Sequence, residues 1–310
     1  MKHRLYDFAA LGFVLSVCVA IAACSWPAVT AAQPKWPLPE GIKSIDVDGY
    51  PLSYLEAGQG VPIVLVHGSL SDYRTWHAQV PMFGKIYRVI ALNLRHYYPE
   101  KWNGQGDDFS IGQHAADVAM LVRKLGLGKV HLIGHSRGGA VVISVAKTYP
   151  EIIRTLTLAD ASGLEALLPD TPDNQKLAAE GRQMREILAK HLAAGDIETG
   201  AQLFIDSLGG PGTWAHRPAD QKQITLDNIA TAVKPEDRPV TTCEQIEKFD
   251  FPILLLNGER SPKRYGLMFA EMRKCRNIEE PVVIPNAAHS MNRDNPGRFN
   301  RAVLEFLSGR

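Results

Sequence analysis

Apolar positions along this chain fall into two kinds of pattern. From Ile42 to Gly58, "IKSIDVDGYPLSYLEAG", apolar and polar residues alternate around Asp48-Gly49, a turn dipeptide. That pattern predicts a β-hairpin. Further on the apolar runs are continuous: "VPIVLVHGS" (Val61 to Ser69), "YRVIALNL" (Tyr87 to Leu94), Val130 to Ile133, "IRTLTLADAS", "FPILLLNGE" and "EPVVIPNAAHS". Runs rich in β-branched residues suit strands buried on both faces. Between them lie stretches with helical apolar spacing. "SIGQHAADVAMLVRKLGLG" has Ser110 as its N-cap and glycines at its end, Ala140 to Lys147 follows the run Val130 to Ile133, and Asn295 to Leu307 closes the chain.

Buried strands alternating with helices predict an α/β fold, a mainly parallel sheet with helices on both faces. One segment breaks the rhythm. Residues 163–239 carry no convincing strand, only helical stretches such as "KLAAEGRQMREILAKHLAAG" and turns such as "GGPGTW", and the strand–helix pattern resumes after them. They are expected to form an inserted helical cap, since so long an insert without structure would be unusual. The expected organisation is a core of residues 42–162 and 240–310, a cap of residues 163–239, and a proline-rich tether, "QPKWPLPEG", over residues 33–41.

The first 32 residues differ in kind. "MKHR" is basic and "FAALGFVLSVCVAIAA" is apolar and uncharged, the layout of a secretory signal. The apolar stretch is short for a spanning helix. Two ends are readable. Ile21-Ala22-Ala23-Cys24 resembles a bacterial lipobox, in which Cys24 would be acylated and hold the protein to a membrane. "AVTAAQP" offers ordinary cleavage near Ala31 or Ala32 instead. Either way the protein is expected to be exported, to the periplasm or to a lipid anchor. Export changes the reading of the cysteines: Cys18 and Cys24 lie in the signal, leaving Cys243 and Cys275, which an oxidising compartment would allow to pair if the fold brings them into reach.

The 310-residue chain is 45% hydrophobic and 22% charged, with Lys+Arg 34 against Asp+Glu 33, so no basic field points to nucleic acid. There is no internal repeat and no metal-ligand spacing.

Chemistry concentrates at "GHSRGG", Gly134 to Gly139, where the run Val130 to Ile133 turns into a helix. A serine hydroxyl is a poor nucleophile without a base and an oxyanion site. A Gly-x-Ser-x-Gly turn lifts the serine out on a tight bend and aims a helix N-terminus at it. The alternatives for such glycines are close packing or a phosphate loop, but neither Gly-x-x-x-x-Gly-Lys-Ser/Thr nor Gly-x-Gly-x-x-Gly is present.

From about Ile42 to its end the chain resembles the α/β-hydrolase superfamily, in His67-Gly68-Ser69, in "GHSRGG", and in "IPNAAHSMNRDNP" before the last helix. The resemblance implies Ser136 as nucleophile and His289 as general base. It places the oxyanion hole on the N–H groups of Arg137 and Ser69, with Leu70 as the alternative second donor. It assigns His67 to shaping the oxyanion loop. The acid departs from the common pattern: "LLLNGERSP" puts Ser261 where many relatives have a carboxylate. Asp160, at the end of "TLTLAD", occupies the other position relatives use, and Glu259 is its rival. "LRHYYPEKW" resembles an esterase-like subgroup, and His96, Tyr97, Tyr98 and Trp102 are candidates for the substrate pocket. They follow a strand whose carboxyl end should face the site. His114 and Asp117 are expected to serve packing and surface roles, and His131 has no evident partner.

The expected activity is that of an exported serine hydrolase, a carboxylesterase acting on a small, partly apolar ester through an acyl-enzyme. It needs no cofactor or metal. The alternatives are hydrolysis of a carbon–carbon bond in a ring-cleavage product and a ligand-binding module without catalysis.

Overall fold

The computed structural model describes residues 36–232 and 239–310. The signal segment, Cys24, both cleavage positions and the start of the tether lie outside the described residues. So does the end of the expected cap, at residues 233–238.

The strands are β1 (Ile42–Val47), β2 (Tyr50–Ala57), β3 (Pro62–Val66), β4 (Arg88–Leu92), β5 (Val130–His135), β6 (Ile153–Ala159), β7 (Ile253–Gly258) and β8 (Val282–Ile284). The α-helices in the first part of the chain are α1 (Val80–Phe83), α2 (Ile111–Lys124) and α3 (Arg137–Thr148). Then follow α4 (Pro172–Ala193), α5 (Ile197–Gly209), α6 (Thr213–His216) and α7 (Ala219–Asp227). The last four are α8 (Cys243–Glu247), α9 (Lys263–Cys275), α10 (Met291–Asp294) and α11 (Pro296–Leu307).

One eight-stranded sheet runs in the order β1-β2-β4-β3-β5-β6-β7-β8. The hairpin turns at Asp48 and Gly49, both with positive φ, so that Val47 pairs with Tyr50. β2 meets β4 antiparallel, and from β4 onward every pairing is parallel. Strand alternation divides the core in two. Val64, Val66, Leu132, Leu156, Leu158 and Leu255 face a cluster that includes Val118, Val141 and Phe269 of the helices on one side. Ile63, Leu65, Ile133, Leu254 and Leu256 face Trp76, Phe83, Phe299 and Val303 on the other. Both faces are thus covered by helices, which is why the strands read as unbroken apolar runs.

The strand order reverses at β3, whose two neighbours are β4 and β5. A crevice outside the carboxyl ends of strands opens at such a point. The turn between β5 and α3 lies there. The helix begins at Arg137, three residues before the stretch that looks helical in sequence, because Gly138 and Gly139 are inside it. A Cβ on Gly138 would overlap the carbonyl oxygen of Val66, and one on Gly139 would overlap Ala161. The glycines therefore serve close packing of helix on sheet.

Within residues 163–232, α4 to α7 and short 3₁₀ turns supply the structure. Thr171 caps α4 by accepting from the N–H of Asn174, yet of the helix's residues only Leu188 is buried. A small separate cluster, Ala201, Ile205 and Trp214, holds α5 and α6 together. Elsewhere Cys243, at the start of α8, is disulfide-bonded to Cys275, at the end of α9, with Cα atoms 4.9 Å apart.

Candidate active site

Ser136 stands between the last residue of β5 and the first of α3, with φ 54° and ψ −120°, a conformation that L-residues rarely adopt. Its backbone N–H donates to the Ala159 carbonyl on β6 (3.0 Å), and its own carbonyl accepts from Gly139 and Ser162. Neighbouring strands thus hold the strained turn. On the β8 side, His289 follows Ala287-Ala288 and is buried. Its Nδ1–H donates to Asp160 Oδ2 at 3.0 Å. Its Nε2 is buried with no hydrogen-bond partner among the described residues. Ser136 and His289 line one cavity.

Asp160, the residue after β6, is wholly buried. Asn257 Nδ2 donates to its Oδ1 (2.8 Å), and the Ser261 hydroxyl donates to its Oδ2. Burial raises the affinity of Asp160 for a proton, and those donors offset part of that effect. Burial also pushes His289 well below the ordinary imidazole range, helped by the guanidinium groups of Arg264, Arg293 and Arg217. A neutral imidazole anchored at Nδ1 leaves the Nε2 lone pair as a proton acceptor at neutral pH. Tyr265 stacks on the His289 ring, with centroids 4.7 Å apart and planes inclined by 16°. His135 Nε2–H donates to the His289 carbonyl (2.7 Å).

Opposite stands the loop after β3. His67 Nδ1–H donates to the Gly68 carbonyl (2.9 Å), and its Nε2 accepts from the Leu94 N–H (3.0 Å). Burial holds this ring neutral, down to about 4. The loop comes so near the nucleophile that a Cβ on Gly68 would sit 3.0 Å from Ser136 Cβ. Ser69 and Leu70 both line the cavity, and Leu70 adopts φ 50°. Arg137, first residue of α3, places its backbone N–H at the helix N-terminus next to Ser136. The loop after β3 and the start of α3 therefore both lie next to Ser136. No group of His, Cys, Asp and Glu among the described residues could hold a metal ion.

The model of the family described as "alpha/beta hydrolase fold" matches residues 61–296, most of the chain. The chain belongs to the α/β-hydrolase family. Its curated relatives include an (E)-2-((N-methylformamido)methylene)succinate hydrolase from Acinetobacter baylyi, 25% identical over 82% of this chain and 93% of that one. A 2-hydroxy-6-oxo-6-(2'-aminophenyl)hexa-2,4-dienoic acid hydrolase from Metapseudomonas resinovorans is 24% identical, over 86% of this chain and 90% of that one. Among solved structures, an esterase from Thermogutta terrifontis superposes with a TM-score of 0.68 at 26% identity, covering 85% of this chain and 96% of that one.

Within this α/β-hydrolase several expectations need correction. Glu259 does not meet His289: it is exposed, and its carboxylate accepts from the Asn286 N–H (2.7 Å), bracing the loop before β8's histidine. None of His96, Tyr97, Tyr98 and Trp102 is among the residues lining the cavity beside Ser136. His96 stacks on Trp102 at 4.6 Å, and its ring nitrogens meet Glu100 and Asp108. Tyr97 packs edge-on against His67. Tyr98 lies under the Arg74 guanidinium, and its N–H donates to Asn228 Oδ1. After β4 the chain takes a positive φ at His96 (70°), and these rings pack against neighbours outside the cavity lining. Asp117 is no surface residue: it is buried in a bidentate pair with Arg95, at 3.0 and 2.8 Å. His114 is buried too, accepting from Arg137 Nη1 at 2.9 Å. His131 has a partner after all, the Thr155 hydroxyl at 2.8 Å.

Other residues at the site carried no signal in the sequence. Asn257 on β7, Ser261 in the loop after it and Tyr265 on α9 support Asp160 and His289. Phe204, Ile205, Leu208, Thr213 and Arg217 reach the cavity from α5, α6 and the residue after α6. The one hint was Ser261 itself, a hydroxyl standing where a carboxylate is common.

Proposed function

We propose that this α/β-hydrolase is an exported serine carboxylesterase working through an acyl-enzyme. The observation that carries the reading is His289, held at Nδ1 by buried Asp160, with an unpartnered Nε2 in the same cavity as Ser136. Ser136 Oγ adds to the ester carbonyl while Nε2 takes its proton. The N–H groups of Arg137 and of Ser69 or Leu70 stabilise the oxyanion. Asp160 steadies the imidazolium. Collapse of the tetrahedral intermediate breaks the carbon–oxygen bond, and Nε2–H protonates the departing alkoxide. Water, deprotonated by the same nitrogen, then releases the acid and restores Ser136.

The apolar walls at Phe204, Ile205 and Leu208 and the esterase among the structural relatives support an ester substrate. Export rests on the N-terminal segment, and the pairing of Cys243 with Cys275 supports an oxidising compartment. The mass of the mature protein in cell fractions tests that part, because cleavage before Cys24 with added lipid differs from cleavage near Ala31.

The activity is tested by intact mass after exposure of residues 33–310 to a fluorophosphonate. A single adduct on the wild type and none on Ser136→Ala is expected. No adduct on a folded wild type would overturn the serine mechanism and favour a binding module.

A further inference from the structure

Two guanidinium groups stand at the cavity beside Ser136. Arg217, the residue after α6, and Arg293, on α10, both contribute to its wall. Neither forms an ion pair with a carboxylate among the described residues. The Nε of each is buried without a hydrogen-bond partner among the described residues, which is a costly state for a cationic donor. Arg293 has one side-chain bond, from Nη2 to the Ser290 hydroxyl (3.0 Å). Burial and the repulsion of Arg293 weaken the hold of Arg217 on its proton, an effect that Asp294 and Asp206 offset in part.

Asp294, Asp206, Asp72 and Asp220 attract the two arginines from beyond ion-pair distance, and three of them make their hydrogen bonds elsewhere. Asp294, also on the cavity wall, accepts from the Ala288 N–H at 2.9 Å. Asp206 accepts from the N–H groups of Gly212 and Trp214. Asp72 is taken by Arg74 and Asn228. Two like charges therefore share, partly out of water, the cavity wall to which His289 belongs, with planar donors left over and no carboxylate in direct contact among the described residues. A planar guanidinium with spare N–H groups matches a carboxylate better than any neutral group.

We propose that Arg217 and Arg293 form a carboxylate-binding subsite, and that the substrate is an ester bearing a free carboxylate close to the scissile bond. The inference rests on the esterase reading and narrows it: the apolar wall of Phe204, Ile205 and Leu208 takes a short hydrocarbon spacer, and the two arginines take the anionic end. One arginine comes from the helical segment and one from the core, so binding the anion also draws the two parts together over Ser136.

The test compares monoethyl glutarate with its amide counterpart, ethyl glutaramate, in which CONH₂ replaces the carboxylate at nearly the same size. Wild-type kcat/KM should favour the charged ester by roughly tenfold to a hundredfold, the range expected for hydrogen bonds to a charged group. Arg217→Gln and Arg293→Gln should each reduce that charged-to-neutral ratio about tenfold. Because a ratio is read, a variant that merely packs less well loses both rates and leaves the ratio alone. Glutarate should also bind Ser136→Ala in calorimetry, and more weakly once either arginine is replaced. Equal rates on the two wild-type substrates, or no glutarate binding to folded Ser136→Ala, would overturn the subsite and leave the serine mechanism standing. Glutarate binding without fluorophosphonate labelling would do the reverse.

Discussion

The floor and the roof of the cavity are built differently. The floor carries Ser136, Asp160 and His289 at the carboxyl ends of β5, β6 and β8, with Arg137 heading α3. Its elements sit in two large clusters where residue after residue has no exposure. The roof comes from α5, α6 and Arg217, held by a cluster of three buried residues, and the long α4 beside it buries only Leu188. Hydrogen bonds repeat the contrast. Asp160 is gripped from Asn257, Ser261 and His289, whereas Arg217 Nε has no partner among the described residues. Chemistry needs groups held to a fraction of an ångström, and the packed sheet supplies that. Selecting and admitting a substrate needs a surface that can adjust, which a thinly packed layer allows.

Substitutions can break this contrast or sharpen it, and the largest effect is expected at the acid. Asp160→Asn should lower kcat about 10³- to 10⁴-fold while the protein stays folded, read by steady-state kinetics beside circular dichroism. A loss under tenfold would mean that another group steadies His289. Next comes the floor's packing: Gly138→Ala forces a methyl group against the Val66 carbonyl and should cost about 3 kcal/mol or more in urea unfolding.

Acid should weaken the floor as well. His67 and His135 are held neutral, down to about 4 and about 3, by burial. The unfolded chain protonates these rings first, near pH 6.5, so stability is complete above about 6.5 and falls as pH drops toward 4, by on the order of 1–2 kcal/mol per histidine at pH 5. Asp160, pushed up to about 6, acts in the opposite sense, because its burial penalty is relieved as it protonates. Two histidines outweigh one carboxylate, and thermal unfolding at pH 7 and pH 5 should show the loss.

In the roof the effect should be small and of another kind. Leu208→Ala is expected to change stability by no more than about 1 kcal/mol, and to alter KM and chain-length preference more than kcat. Smallest of all, Glu259→Gln should leave kcat within about threefold of wild type. A loss matching that of Asp160→Asn would show that the loop before His289 does more than its hydrogen bond to Asn286 suggests.

The elements were legible because their causes are local. Alternation around Asp48-Gly49 set the hairpin, unbroken apolar runs set the buried strands, and Ser110 capped α2 where a serine should. Ser136 and His289 could be read from short motifs for the same reason. The choice between Asp160 and Glu259 could not, since it depends on which carboxylate points under the imidazole. That is decided by the pairing of β6 with β7 and by the direction of the loop after β7. The rings at His96, Tyr97, Tyr98 and Trp102 misled, because being near a strand's carboxyl end does not fix which way a side chain turns.

The sequence by itself determined the order of strands and helices, the strained turn that presents Ser136, and the histidine that follows β8. Turn chemistry and period-two or helical spacing are set by near neighbours in the chain. Only the tertiary structure decided that Asp160 meets His289, that Ser261 serves that carboxylate, that Cys243 lies beside Cys275, and that Arg217 and Arg293 share a cavity with Ser136. Those contacts join segments far apart in the chain. They exist only once the sheet's strand order and the packing of helices on it have brought the segments together.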